Sequence, residues 1–240
     1  MKSRRFFIVV PAAGIGQRMQ SHCPKQYLTL AGSYLADHTL SRLLAVGSIE
    51  RLVVALHPDD QQWSQLQHAS HPAIVTCEGG DTRAASVLAA LDCLVQLGAA
   101  ADDRVLVHDM ARPCVRVADI QALMAADNDE GAILAAPVVD TIKLAADQSG
   151  RYPVIDRTLD RQRIWRAFTP QLFPLERLRQ ALLAAQQQGR DVTDEASAIE
   201  WLGGKPRLVM GNEDNVKVTH PADLALAAFH LQQQAGESAQ

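Results

Sequence analysis

The residues with most chemical promise follow the first apolar run, Phe6–Val10. Pro11-Ala12-Ala13-Gly14-Ile15-Gly16-Gln17-Arg18-Met19 is a glycine loop that lets backbone N–H groups approach a phosphate chain closely. It is not a dinucleotide G-x-G-x-x-G, because Met19 stands at the third glycine position and Pro24 stops the helix that should follow. Nor does the chain contain a G-x-x-x-x-G-K-[ST] P-loop. It does have cations: Arg18, and Lys25 within Pro24-Lys25-Gln26-Tyr27. A glycine turn closely followed by a guanidinium and an ammonium suits a triphosphate, whose charge must be neutralised. The competing reading is a surface loop with two solvated charges.

Further along, Asp109 follows the strand-like run Arg104–His108, at the carboxyl edge where open α/β sheets bind ligands. A lone carboxylate suits magnesium, which keeps several waters and takes other ligands from phosphates. The alternative is an N-cap for the next helix, although Arg112-Pro113 fits a turn less regular than a cap. His108 reads as structural, and no second histidine or cysteine at metal spacing supports zinc. Lys217 lies between Val216 and Val218, so strand alternation would turn it away from their face, towards a ligand or towards water. Arg151, Arg157, Arg161, Arg163 and Arg166 gather positive charge that Asp156 and Asp160 partly offset. There is no G-x-S-x-G elbow, H-E-x-x-H or nucleophile triad.

The loop, with Ala-Ala-Gly-x-Gly-x-Arg-Met followed by Pro-Lys-Gln, resembles that of sugar-nucleotide-type nucleotidyltransferases. Gly79-Gly80-Asp81-Thr82-Arg83 with Ser86, and Val107-His108-Asp109-Met110-Ala111-Arg112-Pro113, come next in order. Asp140-Thr141-Ile142-Lys143, Thr169-Pro170-Gln171, Val192-Thr193-Asp194-Glu195-Ala196-Ser197 and Asn215-Val216-Lys217-Val218-Thr219 complete the series. Together they resemble the 2-C-methyl-D-erythritol 4-phosphate cytidylyltransferase family of non-mevalonate isoprenoid biosynthesis, over about residues 6 to 230. Met110 departs from the alanine usual there, which should crowd the site slightly and leave the carboxylate in place.

The resemblance implies that CTP and the polyol phosphate give a cytidine diphosphate product and pyrophosphate, with magnesium on Asp109. A phosphomonoester has its second pKa near ~6, so the nucleophile needs no general base. Pro11, Ala12, Ala13, Gly14 and Gly16 would cradle the triphosphate, with Gly80, Asp81, Ser86 and Asp109 completing the nucleotide site. Arg18 and Lys25 would stabilise the α-phosphate and departing pyrophosphate, while Arg161 and Lys217 would hold the substrate phosphate. Arg112, Thr141, Thr169 and Thr193 match further substrate contacts, although Thr193 reads equally as an N-cap. Rival readings are a relative using ribitol 5-phosphate, a nicotinamide-dependent oxidoreductase, and a non-enzymatic nucleotide sensor.

These residues need a scaffold, and composition bounds it. The 240 residues are 48% hydrophobic and 21% charged, a globular balance. A net charge of −4 and 5% aromatics argue against nucleic-acid or anionic-membrane partners. No apolar run approaches the ~18 residues of a spanning helix. Phe6–Val10 behind Lys2, Arg4 and Arg5 is also too short for a signal peptide core. Cys23, Cys77, Cys93 and Cys114 form no C-x-x-C pair, so reduced thiols in a cytoplasmic protein are expected.

Strand-like runs at Phe6–Val10, Arg51–Leu56, Ala73–Cys77, Arg104–His108, Ala132–Ala136 and Arg207–Met210 alternate with helical patterns. Those patterns lie near 36–46, 59–68, 82–97, 117–127, 174–188, 194–202 and 221–234. The alternation predicts one α/β domain over residues 1–240 with a mixed, mainly parallel sheet. By resemblance it is the Rossmann-like three-layer nucleotidyltransferase fold. Thr141–Leu144 and Tyr152–Ile155, separated by Asp147-Gln148-Ser149-Gly150, predict an inserted β-arm at about 138–161. A lone hairpin is marginally stable, so a homodimer packed through this arm is expected.

Overall fold

The computed structural model describes residues 4–14, 23–146 and 152–238. Gly16, Arg18, Arg151 and the turn at 147–150 lie outside the described residues. In chain order the elements begin with β1 (Phe6–Ala12), β2 (Thr29–Leu30), β3 (Ser33–Tyr34), α1 (Leu35–Leu44), β4 (Ile49–Leu56), β5 (Ile74–Glu78) and α2 (Arg83–Gln96). They continue with β6 (Arg104–Val107), α3 (Val117–Ala125), β7 (Ala132–Pro137), β8 (Lys143–Ala145), β9 (Ile155–Thr158) and β10 (Trp165–Pro174). α4 (Leu175–Gln187), α5 (Glu195–Trp201), β11 (Arg207–Met210) and α6 (Pro221–Ser238) follow.

Seven strands form one sheet in the order β11-β7-β10-β6-β1-β4-β5, parallel except for β10, which runs antiparallel to both neighbours. Both faces are covered, so strand residues are apolar in either direction. Ile8, Val10, Leu52, Val54 and Leu106 pack with α1 and α3 on one face. Phe7, Val9, Val53, Val105 and Val107 pack with α2, α4 and α5 on the other. Complete burial of each such side chain is worth about 1.5–3 kcal/mol. The result is a three-layer α/β fold. Among the described residues no helix is long and apolar enough to cross a membrane.

Most of the expected elements form, with ends shifted by a residue or two, except that α6 runs four residues past the expected 234. The helix expected at 59–68 does not: the segment has only a short 3-10 turn, Trp63–Gln65. Asp60 Oδ1 accepts the amides of Gln62 and Trp63 at 2.9 and 3.0 Å, a local bond that competes with a helix ladder. β10 was not foreseen, because Pro170 and Pro174 argue against a central strand. The sheet accommodates Pro170 where pairing slips register between Ala167 and Gln171, so no ladder donor is lost there. Residues 215–219 are not a strand, and their extended course is held by bonds such as Val218 N–H to the Ala111 carbonyl, 2.8 Å. The arm is a two-stranded β8–β9 ribbon, its strands starting later in the chain than expected.

Gly131 opens β7 at φ +88, and a Cβ there would collide with the Phe173 ring and lie 2.8 Å from the Leu172 carbonyl oxygen. Gly131→Ala is therefore expected to lower stability by about 1–3 kcal/mol. Urea unfolding checks this; a variant as stable as wild type would mean that β7 and β10 can separate freely.

Candidate active site

The carboxyl ends of β1, β4, β5 and β6 lie side by side, where parallel strands open onto their loops. Together they wall a cavity of about 690 Å³. β1 delivers Pro11, Ala12, Ala13 and Gly14, β4 delivers His57, β5 delivers Gly79 and Gly80, and β6 delivers Asp109. Lys25, Asp81, Ser86 and Lys217 line it too. Close backbone approach is obligatory at the β5 corner. A Cβ on Gly79 would stand 2.6 Å from Ala13 Cβ, and one on Gly80 would stand 2.6 Å from Ala85 Cβ.

Ser86 is almost fully buried, and its hydroxyl braces this corner. Its Oγ accepts the Gly80 amide at 3.2 Å and lies 3.1 and 2.9 Å from the Gly80 and Thr82 carbonyl oxygens. Thr82 caps α2 by accepting the Ala85 amide. On the β1 side the buried Gln26 side chain donates to the Ala12 carbonyl at 3.0 Å. Lys25 Nζ lies 3.4 Å from the Val218 carbonyl oxygen, drawing the 215–219 segment over the cavity.

The charges centre on Asp109. Oδ1 accepts Arg83 Nε at 2.9 Å, Oδ2 accepts Lys217 Nζ at 2.7 Å, and Arg112 Nε stands 3.8 Å from Oδ2. Burial alone would raise the Asp109 pKa, but the Arg83 and Lys217 charges outweigh it and hold the carboxyl well below the usual range. The backbone is anchored as well: Asp109 N–H donates to Thr169 Oγ1 at 3.1 Å, and the Thr169 hydroxyl lies 3.1 Å from His108 Nδ1. His108 Nε2 lies 3.2 Å from the Arg112 carbonyl oxygen. All three bonds are satisfied when neutral His108 carries its proton on Nε2 and accepts the Thr169 hydroxyl proton at Nδ1. Asp109 does not serve as a helix cap, since α3 starts only at Val117.

A second recess of about 210 Å³ shares Arg83, Asp109 and Lys217 with the first and adds Arg112, Thr169 and Thr193. Arg112 Nη1 donates to the Asn215 carbonyl at 2.7 Å, and its guanidinium stacks 5.4 Å from the Phe168 ring centroid. Its buried Nε has no hydrogen-bond partner among the described residues. Thr193 is exposed at the rim, and the α5 cap is Asp194, in a capping box with Ser197. Thr141 and Arg161 reach neither recess of their own chain. Both are exposed on the arm, where Arg161 Nη1 bonds the Val139 carbonyl. Met110 is buried in the core beside α1 and leaves Asp109 with its partners intact.

No group of three or more His, Cys, Asp or Glu side chains converges among the described residues. A single ionised carboxylate, whose oxygens accept Arg83 and Lys217, is not a donor set for zinc. Sequence reading missed Arg83, Glu195, Gln26 and Asn215 as site residues. Each lay within a quoted motif, but their partners are distant in sequence, and no spacing rule reveals such pairings.

Burial pushes the His108 pKa down to about 4. An unfolded histidine titrates near ~6.5, so as pH falls the unfolded chain takes up this proton first. The His108 contribution to stability is complete above ~6.5 and drains away as pH drops towards about 4. Unfolding curves across that window should converge for wild type and His108→Gln as the pH falls. A constant gap would show that His108 is not buried uncharged.

A family model described as "IspD: 2-C-methyl-D-erythritol 4-phosphate cytidylyltransferase" matches residues 6–233. The chain is 49% identical over 229 residues to the 2-C-methyl-D-erythritol 4-phosphate cytidylyltransferase of Haemophilus influenzae strain Rd, covering 95% of this chain and 97% of the relative. It is 50% identical over 226 residues to that of Cronobacter sakazakii, covering 93% and 92%. The solved structure of the Francisella tularensis enzyme of the same name superposes with a TM-score of 0.79 at 34% identity, covering 94% of this chain and 99% of that one. Pro11 to Gly14, the β5 corner and the Asp109 cluster thus sit in a shared fold, and the chain belongs to the 2-C-methyl-D-erythritol 4-phosphate cytidylyltransferase family.

Proposed function

We propose that the protein transfers the cytidylyl group of CTP to the phosphate of 2-C-methyl-D-erythritol 4-phosphate and releases pyrophosphate. The observation that carries this reading is the common wall of the two recesses, Arg83–Asp109–Lys217, across which two bound phosphates would meet. The larger recess, with bare backbone at Gly79 and Gly80, takes the nucleotide. The smaller takes the polyol phosphate, whose phosphate oxygens answer the Arg112 guanidinium and the Thr193 hydroxyl and whose own hydroxyls donate to Thr169 Oγ1.

Lys25, with Arg18, neutralises charge on the α-phosphate and the departing pyrophosphate. Lys217 orients the attacking phosphate, which is already deprotonated and needs no base. Asp109 would hold magnesium, which supplies charge neutralisation on the triphosphate. The cysteines described here are free thiols, in keeping with a cytoplasmic setting.

Arg161 and Thr141 complete the site of a second copy. Among the described residues the arm's two strands pair with each other alone, and Tyr152, Val154 and Ile155 on it are 75%, 71% and 60% exposed. Such an apolar ribbon is stable when packed against a partner. A two-fold dimer would place each arm at its neighbour's smaller recess.

Pyrophosphate release measured over CTP, UTP and a panel of polyol phosphates tests the reading. CTP with 2-C-methyl-D-erythritol 4-phosphate should be the preferred pair. Equal specificity constants for UTP would remove the cytidylyl assignment, and a preference for ribitol 5-phosphate would move the substrate. Activity should vanish in excess chelator and return with magnesium. Lys25→Ala should cut kcat by at least ~10² in folded protein.

The dimer has its own test. Arg161→Ala and Lys217→Ala proteins should each be nearly inactive. Co-refolded at equal concentration, they should regain about a quarter of wild-type sites, because random pairing gives half mixed dimers with one intact site of two. No recovery despite proven subunit exchange would confine Arg161 to its own chain.

A further inference from the structure

Arg83 stands on the wall common to both recesses, yet its guanidinium is already engaged. Nε donates to Asp109 Oδ1 at 2.9 Å, Nη1 to Glu195 Oε1 at 2.6 Å and Nη2 to Glu195 Oε2 at 3.0 Å. The edge by which arginine forks an oxyanion is therefore held by Glu195. Glu195 is fully buried and lines neither recess, so it touches no substrate. It is nonetheless firmly placed as the first residue of α5. Gln171 of β10 accepts the Ala196 amide at 2.9 Å and donates to Asp194 at 2.8 Å, tying that helix end to the sheet. The chain of contacts runs from sheet to α5, from Glu195 to Arg83, and from Arg83 to one oxygen of Asp109, leaving the other to Lys217.

We propose that Glu195 is a positioning residue: through Arg83 it fixes the Asp109 carboxylate in the orientation that cytidylyl transfer requires and keeps Arg83 off the incoming phosphates. The inference rests on the transfer reading above. Three cations (Arg83, Arg112, Lys217) and two carboxylates (Asp109, Glu195) form the cluster. Replacing Glu195 by glutamine therefore makes it more positive and frees Arg83 to grip phosphates. Ground-state binding of both anionic substrates should hold or tighten while the oriented carboxylate is lost.

The test compares Glu195→Gln, Arg83→Lys and the double variant, normalised to folded protein. Arg83→Lys keeps the charge but loses the fork. Each single change should lower kcat for pyrophosphate release by at least ~10-fold, with KM unchanged or lower for Glu195→Gln. The double variant should be no worse than the more damaging single change, because both residues act through one contact. Should Glu195→Gln fail to fold, Arg83→Lys carries the same kcat expectation. A lowered Tm with unchanged kcat would make the pair merely structural. A raised KM at unchanged kcat would make Arg83 a substrate ligand, and additive losses would uncouple the two; any of these overturns the inference. A crystal structure of Glu195→Gln reads it without turnover. Asp109 should be rotated or parted from Arg83, and an unmoved 2.9 Å contact would refute the proposal. Wild-type protein that releases no pyrophosphate would overturn the proposed function instead, leaving the crystal structure to decide this point.

Discussion

A carboxylate buried between three cations sets the terms for the rest of the molecule. Desolvation works against charge on Asp109, and Arg83 and Lys217, each within hydrogen-bond distance, keep it ionised with a smaller contribution from Arg112. Those partners come from the start of α2 and from the 215–219 segment, far apart along the chain. An unpaired buried charge is strongly destabilising, so the stability of the fold depends on these partners meeting. The cluster retains a positive excess, as suits a place where a triphosphate and a phosphomonoester must come together without repelling each other.

The sheet explains why those segments meet. Four parallel strands end at one edge, so their loops crowd together over the same crevice. β10 enters from the opposite direction, between β6 and β7, and its register slip lies beside the carboxyl end of β6. That is what brings Thr169 onto the Asp109 amide and, through His108, ties the strand end to the Arg112 turn. Gln171, two residues later, fastens α5 and with it Glu195. One antiparallel strand thereby supports both recesses.

The arm stands apart from this frame. Its exposed apolar side chains and Arg161 line neither recess of their own subunit, whereas the smaller recess has a guanidinium nitrogen without a hydrogen bond among the described residues and an open rim. The proposed shared site would couple catalysis to assembly, so that a monomer would hold the nucleotide machinery without all of the phosphate-binding charge.

The alternation of short apolar runs with helical patterns was enough for the α/β class and for most of the strands, because a sheet covered on both faces demands continuous apolar segments. The glycine loop, Lys25 and Asp109 were legible for a similar reason: phosphate chemistry restricts which residue types can stand beside a strand end, and that restriction is local. β10 was hidden by its prolines, which are tolerated only because a register slip falls where the ladder would have needed Pro170. The helix at 59–68 was overruled by one side chain, Asp60, taking the backbone amides itself. Arg83 and Glu195 looked like ordinary helix-end charges, and Arg161 like one arginine among several. Their roles depend on partners 112 residues away, in the Arg83–Glu195 pair, or on the proposed second subunit. Local composition thus determined the scaffold and the kind of ligand, while tertiary structure decided which charges meet, because buried electrostatics depends on distance in space and not along the chain.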